Sequence, residues 1–259
     1  VVTRLSLRLR EAPVSRDMAF VALESFDHVK ALLRHMDQQL GGGLSAFETL
    51  WSDYYQLVTT KPAHSRPPVP HGHDFYVLLE AQGADGELDQ QRFKMALESA
   101  FEQGLLVDAA VSQSESDCHA FWQIRDDVQQ IFQLGTPLFF DVSLPIDRMS
   151  AYVDDVRSSL ATTEALAVYV FGHLGDGNLH FGIPLPNDRA AALRPQIEAC
   201  VYGPLAEFKG SVSAEHGIGL EKKPWLSVSR SPEEIALMKT LKRALDPHNM
   251  LNPGKIFDV

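Results

Sequence analysis

Ala19-Phe20-Val21-Ala22-Leu23-Glu24-Ser25-Phe26-Asp27-His28-Val29 begins the stretch that decides the fold. It continues through Leu32, Leu33, Met36 and Leu40 to Gly41-Gly42-Gly43, and closes with Leu44 to Leu50. The unbroken apolar run Ala19–Leu23 reads as a buried strand. Ser25 is placed to cap a helix, and Val29, Leu32, Leu33, Met36 and Leu40 form its apolar stripe. Three glycines stop that helix, and Leu44–Leu50 resumes as a strand, with a short helix after Ser52. Strand, helix, strand is half of a ferredoxin-like unit.

The pattern recurs. Asp74–Ala81 reads as a strand, Asp89–Gly104 as a helix with Phe93, Met95, Ala96, Ala100 and Phe101 as apolar positions, and Leu105–Val111 as a strand. Between the two copies lies the Pro-rich loop Lys61–Gly72. The expected fold is therefore α+β, with two ferredoxin-like halves forming an antiparallel sheet flanked by helices. Further on, Ser114–Gln133 fits one long helix with Phe121, Ile124, Val128 and Phe132 on one face and Arg125 at its edge. Leu138–Leu144 is a strand closed by Pro145, Ile146–Ala161 a helix, Asn187–Gly210 a helix and Ser211–Ala214 a short strand. Ser231-Pro232-Glu233-Glu234 starts a helix that runs to Leu245, giving a helical C-terminal segment before a loop-like tail. At the other end, Val2–Leu9 alternates apolar and polar side chains and reads as a half-buried strand. The chain opens in mid-strand without Met. We expect a fragment of a longer polypeptide whose residues 1–259 form one domain.

The chain has 259 residues, 45% apolar and 22% charged, the profile of an ordinary globular protein with a sizeable core. Its 23 basic residues face 34 acidic ones, a net charge of −11, which argues against nucleic acid and against a basic membrane patch. No apolar run approaches the roughly 20 residues of a membrane span, and no signal-peptide pattern opens the chain. Cys118 and Cys200 are far apart and without redox or metal spacing, as expected for reduced thiols in a cytoplasmic protein.

Chemistry concentrates at Gly172-His173-Leu174-Gly175-Asp176-Gly177-Asn178-Leu179-His180. Apolar runs flank it, and Asp-Gly is a strong hairpin signal. A two-residue Asp176-Gly177 turn would pair 173 with 180, so that His173 and His180 face each other, their Cβ atoms about 5 Å apart. Two imidazoles so placed can chelate a divalent metal or simply hydrogen-bond at a hairpin end. Glu215 is the best candidate for a third ligand: two His and one carboxylate, with positions left open, suit catalytic zinc or a similar metal. His216 could reach the same pocket as a general base if the backbone turns at Gly217 and Gly219. Gly175–Asn178 joins two strands, so it is not a dinucleotide-binding glycine loop. His71 and His73 read as solvated loop histidines.

Three blocks taken together resemble a known family: Gly172–His180; Ser213-Ala214-Glu215-His216-Gly217-Ile218-Gly219; and Asp246-Pro247-His248-Asn249-Met250-Leu251-Asn252-Pro253-Gly254-Lys255. In that order they resemble the C-terminal half of the FAD-linked oxidases of the vanillyl-alcohol-oxidase type, nearest to the D-lactate, glycolate and D-2-hydroxyglutarate dehydrogenases. Arg125 and Asp141-Val142-Ser143-Leu144-Pro145 also match, and Val2–Leu9 resembles the strand that leaves the family's FAD-binding domain. The resemblance implies a flavin-dependent dehydrogenase that oxidises a D-2-hydroxy acid to a 2-oxo acid. His173, His180 and Glu215 would bind zinc or manganese, His216 would take the hydroxyl proton, and Arg125 would pair with a substrate carboxylate. Asn252 would lie against the flavin. FAD would be held mainly by the FAD-binding domain expected in the same polypeptide, and a quinone, cytochrome or flavoprotein acceptor would take the electrons. A homodimer is compatible with the sequence but not required by it.

Two departures bear on the substrate. Where family members acting on a dicarboxylate often carry a Lys, two residues before Asp141, this chain has Phe139. Where they often carry an Asn, two residues after His180, it has Gly182. The loss of both polar groups implies a shorter or more apolar acid than 2-hydroxyglutarate. Readings from other classes are a metal-dependent hydrolase built on the same His and Glu residues, and a non-catalytic subunit that completes a separate flavin protein.

Overall fold

Residues 2–9 and 11–259 are described by a computed structural model. The elements are β1 (Ser15–Leu23), α1 (Phe26–Leu40), β2 (Leu44–Trp51), α2 (Ser52–Thr59), β3 (Phe75–Gly83), α3 (Gly86–Glu102), β4 (Asp108–Val111), α4 (Glu115–Asp126), α5 (Gln129–Phe132), β5 (Thr136–Ser143), α6 (Met149–Leu160), β6 (Tyr169–His173), β7 (Asn178–Leu185), α7 (Ala190–Tyr202), α8 (Leu226–Ser229) and α9 (Pro232–Leu245). The Ser25 hydroxyl accepts from the His28 N–H at the start of α1, and Gly41 ends it in the left-handed region. A reciprocal Ser231–Glu234 capping box opens α9.

All seven strands join one sheet in the order β4-β1-β3-β2-β6-β7-β5, paired antiparallel throughout. The first four strands in that row, with α1 and α3, complete one ferredoxin-like unit. The two strand–helix–strand copies are thus halves of a single unit. A second unit, β5-α6-β6-β7-α7, abuts it edge to edge through β2 and β6. Its fourth strand has shrunk to a lone bridge between Ser143 and Ser211, where the sequence suggests a strand over Ser211–Ala214.

Alternation along the strands sends side chains to two cores. On one face α1, α3, α6 and α7 bury Val21, Leu79, Val142, Phe181 and their neighbours. On the other, α2 and α4 seal Phe20, Tyr55, Tyr76 and Phe121 over the first unit. Over β5 and β7 on that side the four-residue α5 packs.

Several expectations are corrected. Val2–Leu9 forms no strand: among the described residues it has no pairing partner, and Val2, Leu5, Leu7 and Leu9 are exposed. The long helix breaks at Asp127. There the Arg125 carbonyl accepts from the Tyr54 hydroxyl (2.8 Å), and the Asp127 carboxylate accepts from the Gln130 amide (2.8 Å). Phe132 is exposed rather than buried with Phe121, as are Met95 and Phe101 on α3. The helix expected to reach Gly210 ends at Tyr202 and passes into a 3₁₀ turn at Gly203–Ala206. Both cysteines are free. No helix among the described residues is long and apolar enough to cross a membrane.

Candidate active site

The hairpin forms, but with a longer turn than Asp-Gly alone. Leu174–Asp176 makes a 3₁₀ turn and Gly177 closes it at φ 69°. Leu174 is fully buried, which draws the turn into the core. The register becomes Phe171↔His180 instead of His173↔His180. A shift of two residues preserves which face each side chain takes. His173 and His180 therefore still share a face, diagonally, with ring centroids 5.3 Å apart. That face is the one α2 and α4 leave open over the second unit.

Glu215 arrives from the segment after Ser211. The backbone turns where the glycines allow it: Gly217 lies at φ 74° and Gly219 at 55°. Ligand atoms of His173, His180 and Glu215 all lie within 4.8 Å of one another, and among the described residues no other group of three or more could hold a metal ion. His71 and His73 instead hydrogen-bond Thr59 (2.8 Å) and Glu24 (2.6 Å).

Side chains that the sequence reading passed over hold this trio in place. Glu48, buried on β2, takes His173 Nδ1 on Oε1 (2.6 Å) and Arg125 Nε on Oε2 (2.8 Å). Burial pushes the Glu48 carboxyl up, but the hydrogen bond from His173 and the charge of Arg125 outweigh it and hold it below its usual range. The same bond raises the pKa of His173. It also assigns the Nδ1–H tautomer, so the Nε2 lone pair faces the cleft, where it lies 3.4 Å from Glu215 Oε1 and accepts from Arg125 at 2.9 Å. His180 behaves oppositely. Burial, with Arg125 and His173 nearby, lowers its pKa to about 4, so it is a neutral imidazole at physiological pH. The Asn178 amide donates to Glu215 Oε1 at 2.6 Å.

Asp141, beside His180 in the β5–β7 ladder, fixes the returning segment. Its Oδ2 accepts from the backbone N–H of Glu215 (3.1 Å) and His216 (3.0 Å), and from buried Lys222 (3.2 Å). These donors outweigh burial and hold its carboxyl low. Both missed carboxylates had a sequence signal: a single acid inside an otherwise apolar strand run, Phe47-Glu48-Thr49-Leu50 and Phe140-Asp141-Val142.

His216 lines the same cleft of about 620 Å³, its side chain 68% exposed. Arg125 also lines it, with its guanidinium carbon 5.5 Å from the centre of the Phe171 ring. Asn252 does not. It is exposed in the tail, at φ 49°, and the tail is tied to this region by the Ile256 N–H to the Gly219 carbonyl (2.8 Å) and by Lys223 Nζ to the Gly254 carbonyl (3.1 Å).

The family profile described as FAD linked oxidases, C-terminal domain, matches residues 12–256. The chain belongs to this family. It is 35% identical over 259 residues to the mitochondrial D-2-hydroxyglutarate dehydrogenase of Arabidopsis thaliana, covering 99% of this chain and 45% of that protein. It is also 35% identical to the D-2-hydroxyglutarate dehydrogenase of Xanthomonas citri pv. viticola, covering 100% of this chain and 55% of the relative. The chain thus spans about half the length of the curated relatives it matches. In fold it resembles 4-ethylphenol oxidase from Gulosibacter chungangensis (TM-score 0.65, 15% identity, 97% of this chain and 56% of that one) and p-cresol methylhydroxylase (0.64, 13%, 95% and 53%).

Proposed function

We propose that this chain is the substrate- and metal-binding part of a flavin-dependent dehydrogenase that oxidises a D-2-hydroxy acid to the 2-oxo acid. The observation that carries the reading is the His173–His180–Glu215 cluster in a member of the FAD-linked oxidase family. The donor set fits a divalent metal of the zinc type. Two imidazoles and a carboxylate converge, His180 is neutral, and Glu48 orients His173 as a carboxylate partner does in metal sites. A metal held by His173, His180 and Glu215 would supply Lewis acidity at the substrate's 2-hydroxyl, and a bound flavin would supply the hydride-accepting chemistry.

The chain's own residues do the rest. Arg125, oriented by Glu48 from behind, would turn the terminal nitrogen that now donates to His173 toward the substrate carboxylate. His216, at the cleft mouth, takes the hydroxyl proton. Its backbone N–H is tied to Asp141, which fixes where this segment enters the cleft while the side chain stays exposed. Asn252 and the tail would meet the flavin, which would be held mainly by a further domain of the same polypeptide, with an electron acceptor needed to restore it.

The test is metal analysis and flavin spectroscopy on the full-length protein. About one metal per chain and anaerobic bleaching of the flavin by a D-2-hydroxy acid are expected. Metal without flavin, or flavin untouched by any 2-hydroxy acid, would overturn the reading.

A further inference from the structure

Resting on the reading above, we propose that the substrate is a monocarboxylic 2-hydroxy acid with an apolar side chain, branched aliphatic or aromatic. The cleft has one polar end and one apolar wall, and its cations are already committed.

Among the described residues lining the cleft, the Lys and Arg side chains are Arg125 and Lys222. Lys222 is buried, with its ammonium bonded to the Asp141 carbonyl (3.1 Å) and carboxylate (3.2 Å). Arg125 gives Nε to Glu48 and one terminal nitrogen to Asp126 (3.1 Å). That leaves a single terminal nitrogen, which now points at His173. It can serve one carboxylate. The other charged side chains in the lining are the carboxylates Asp141, Glu215 and Glu221, none of which can pair with a second carboxylate.

The apolar wall follows from strand alternation. Phe139 stands two residues before Asp141 on β5 and faces the same way, about 7 Å along the strand from the row that carries His180. A branched or aromatic group on C2 that extends along β5 from the His180 row would meet this ring. Phe132 from α5 packs beside it, ring centroids 5.6 Å apart, and Val128 and Phe171 continue the wall. Phe132 and Phe139 remain 51% and 43% exposed. The neighbouring strand adds no polar group, since the residue opposite Phe139 is Gly182. At Gly182 a Cβ would come within 2.4 Å of Ile131 Cδ1, and Ile131 is fully buried. A carboxylate in this half of the cleft would lose its water without gaining a partner, whereas an aliphatic branch or a ring would bury apolar area.

The experiment compares kcat/KM of the full-length flavoprotein for D-2-hydroxy-4-methylpentanoate, D-lactate and D-2-hydroxyglutarate. We expect the methylpentanoate to exceed D-lactate by about tenfold or more, and D-2-hydroxyglutarate by about a hundredfold. Calorimetric titration with 4-methyl-2-oxopentanoate and 2-oxoglutarate gives the same order without turnover. Phe139→Lys should move the ratio toward D-2-hydroxyglutarate by at least about tenfold. Equal or better use of D-2-hydroxyglutarate by the native protein overturns the inference while leaving the dehydrogenase reading standing. An unchanged ratio in Phe139→Lys overturns the placement of the side chain at this wall. If no 2-hydroxy acid reduces the flavin, the dehydrogenase reading is what fails.

Discussion

The two ferredoxin-like units share a strand order and differ in what lies on their second face. In the first, α2 and α4 seal an aromatic cluster: Tyr55 stacks on Tyr76 at 3.7 Å, and Phe20 lies 5.4 Å from Tyr55 and 5.8 Å from Phe121. In the second, the same face carries His173, His180, Asp141 and Phe139, covered only in part by α5. The difference teaches how one topology divides labour. A sheet already sealed on one side by α6 and α7 can leave its other side for chemistry. The shrunken fourth strand is what makes this possible: beyond the Ser143–Ser211 bridge the chain is free to loop back and bring Glu215 and His216 over the exposed face.

The sharpest way to break this comparison is to mutate one residue in each face. His180→Ala should reduce bound metal to near zero and slow flavin reduction by about a thousandfold or more, read by metal analysis and stopped-flow absorbance. It should change the unfolding free energy of the metal-free protein by less than about 1 kcal/mol. Phe20→Ala should do the reverse, lowering stability by about 3–5 kcal/mol in urea titrations while metal content holds. Were His180→Ala to unfold the protein as Phe20→Ala does, the division of labour would be wrong. Glu48→Gln sits on the border between the faces. It should weaken metal affinity by about 10–100-fold in a chelator competition, because it orients His173 without touching the metal.

The smallest effect is in pH. The folded protein holds His180 at a pKa of about 4 against 6.5 for a free imidazole. Between those values the unfolded chain binds a proton that the folded one refuses, so His180 makes metal-free protein less stable as pH falls from 6.5 toward 4. His180→Asn should remove that part of the slope, about 1–2 kcal/mol between pH 6.5 and 5. Equal slopes in the two proteins would show His180 to be better solvated than the fold implies.

Much of this was legible from the residues. The strand–helix–strand pattern, the Ser25 cap and the glycine stop gave α1 and its neighbours, because local chemistry alone sets them. The convergence of His173, His180 and Glu215 was legible for a subtler reason. The hairpin register was wrong by two, yet parity kept both imidazoles on one face. What stayed hidden depended on partners distant in sequence. Glu48 and Asp141 acquire meaning only when β2 meets β6 and β5 meets the returning loop. The break at Asp127 needs the Tyr54 hydroxyl from another helix. Val2–Leu9 has the pattern of a strand and, among the described residues, no neighbour to pair with.

The tight fit between position 182 and Ile131 carries a consequence for how this cleft could change over generations. A Cβ at 182 would come within 2.4 Å of Ile131 Cδ1, the far end of a fully buried side chain, so a larger residue there requires Ile131 to turn or shift within the core. Phe139 is under no such constraint, being 43% exposed. The two positions that border the apolar wall are therefore unequal in mutational access: polarity enters more readily through 139 than through 182, where a movement of Ile131 must accompany it.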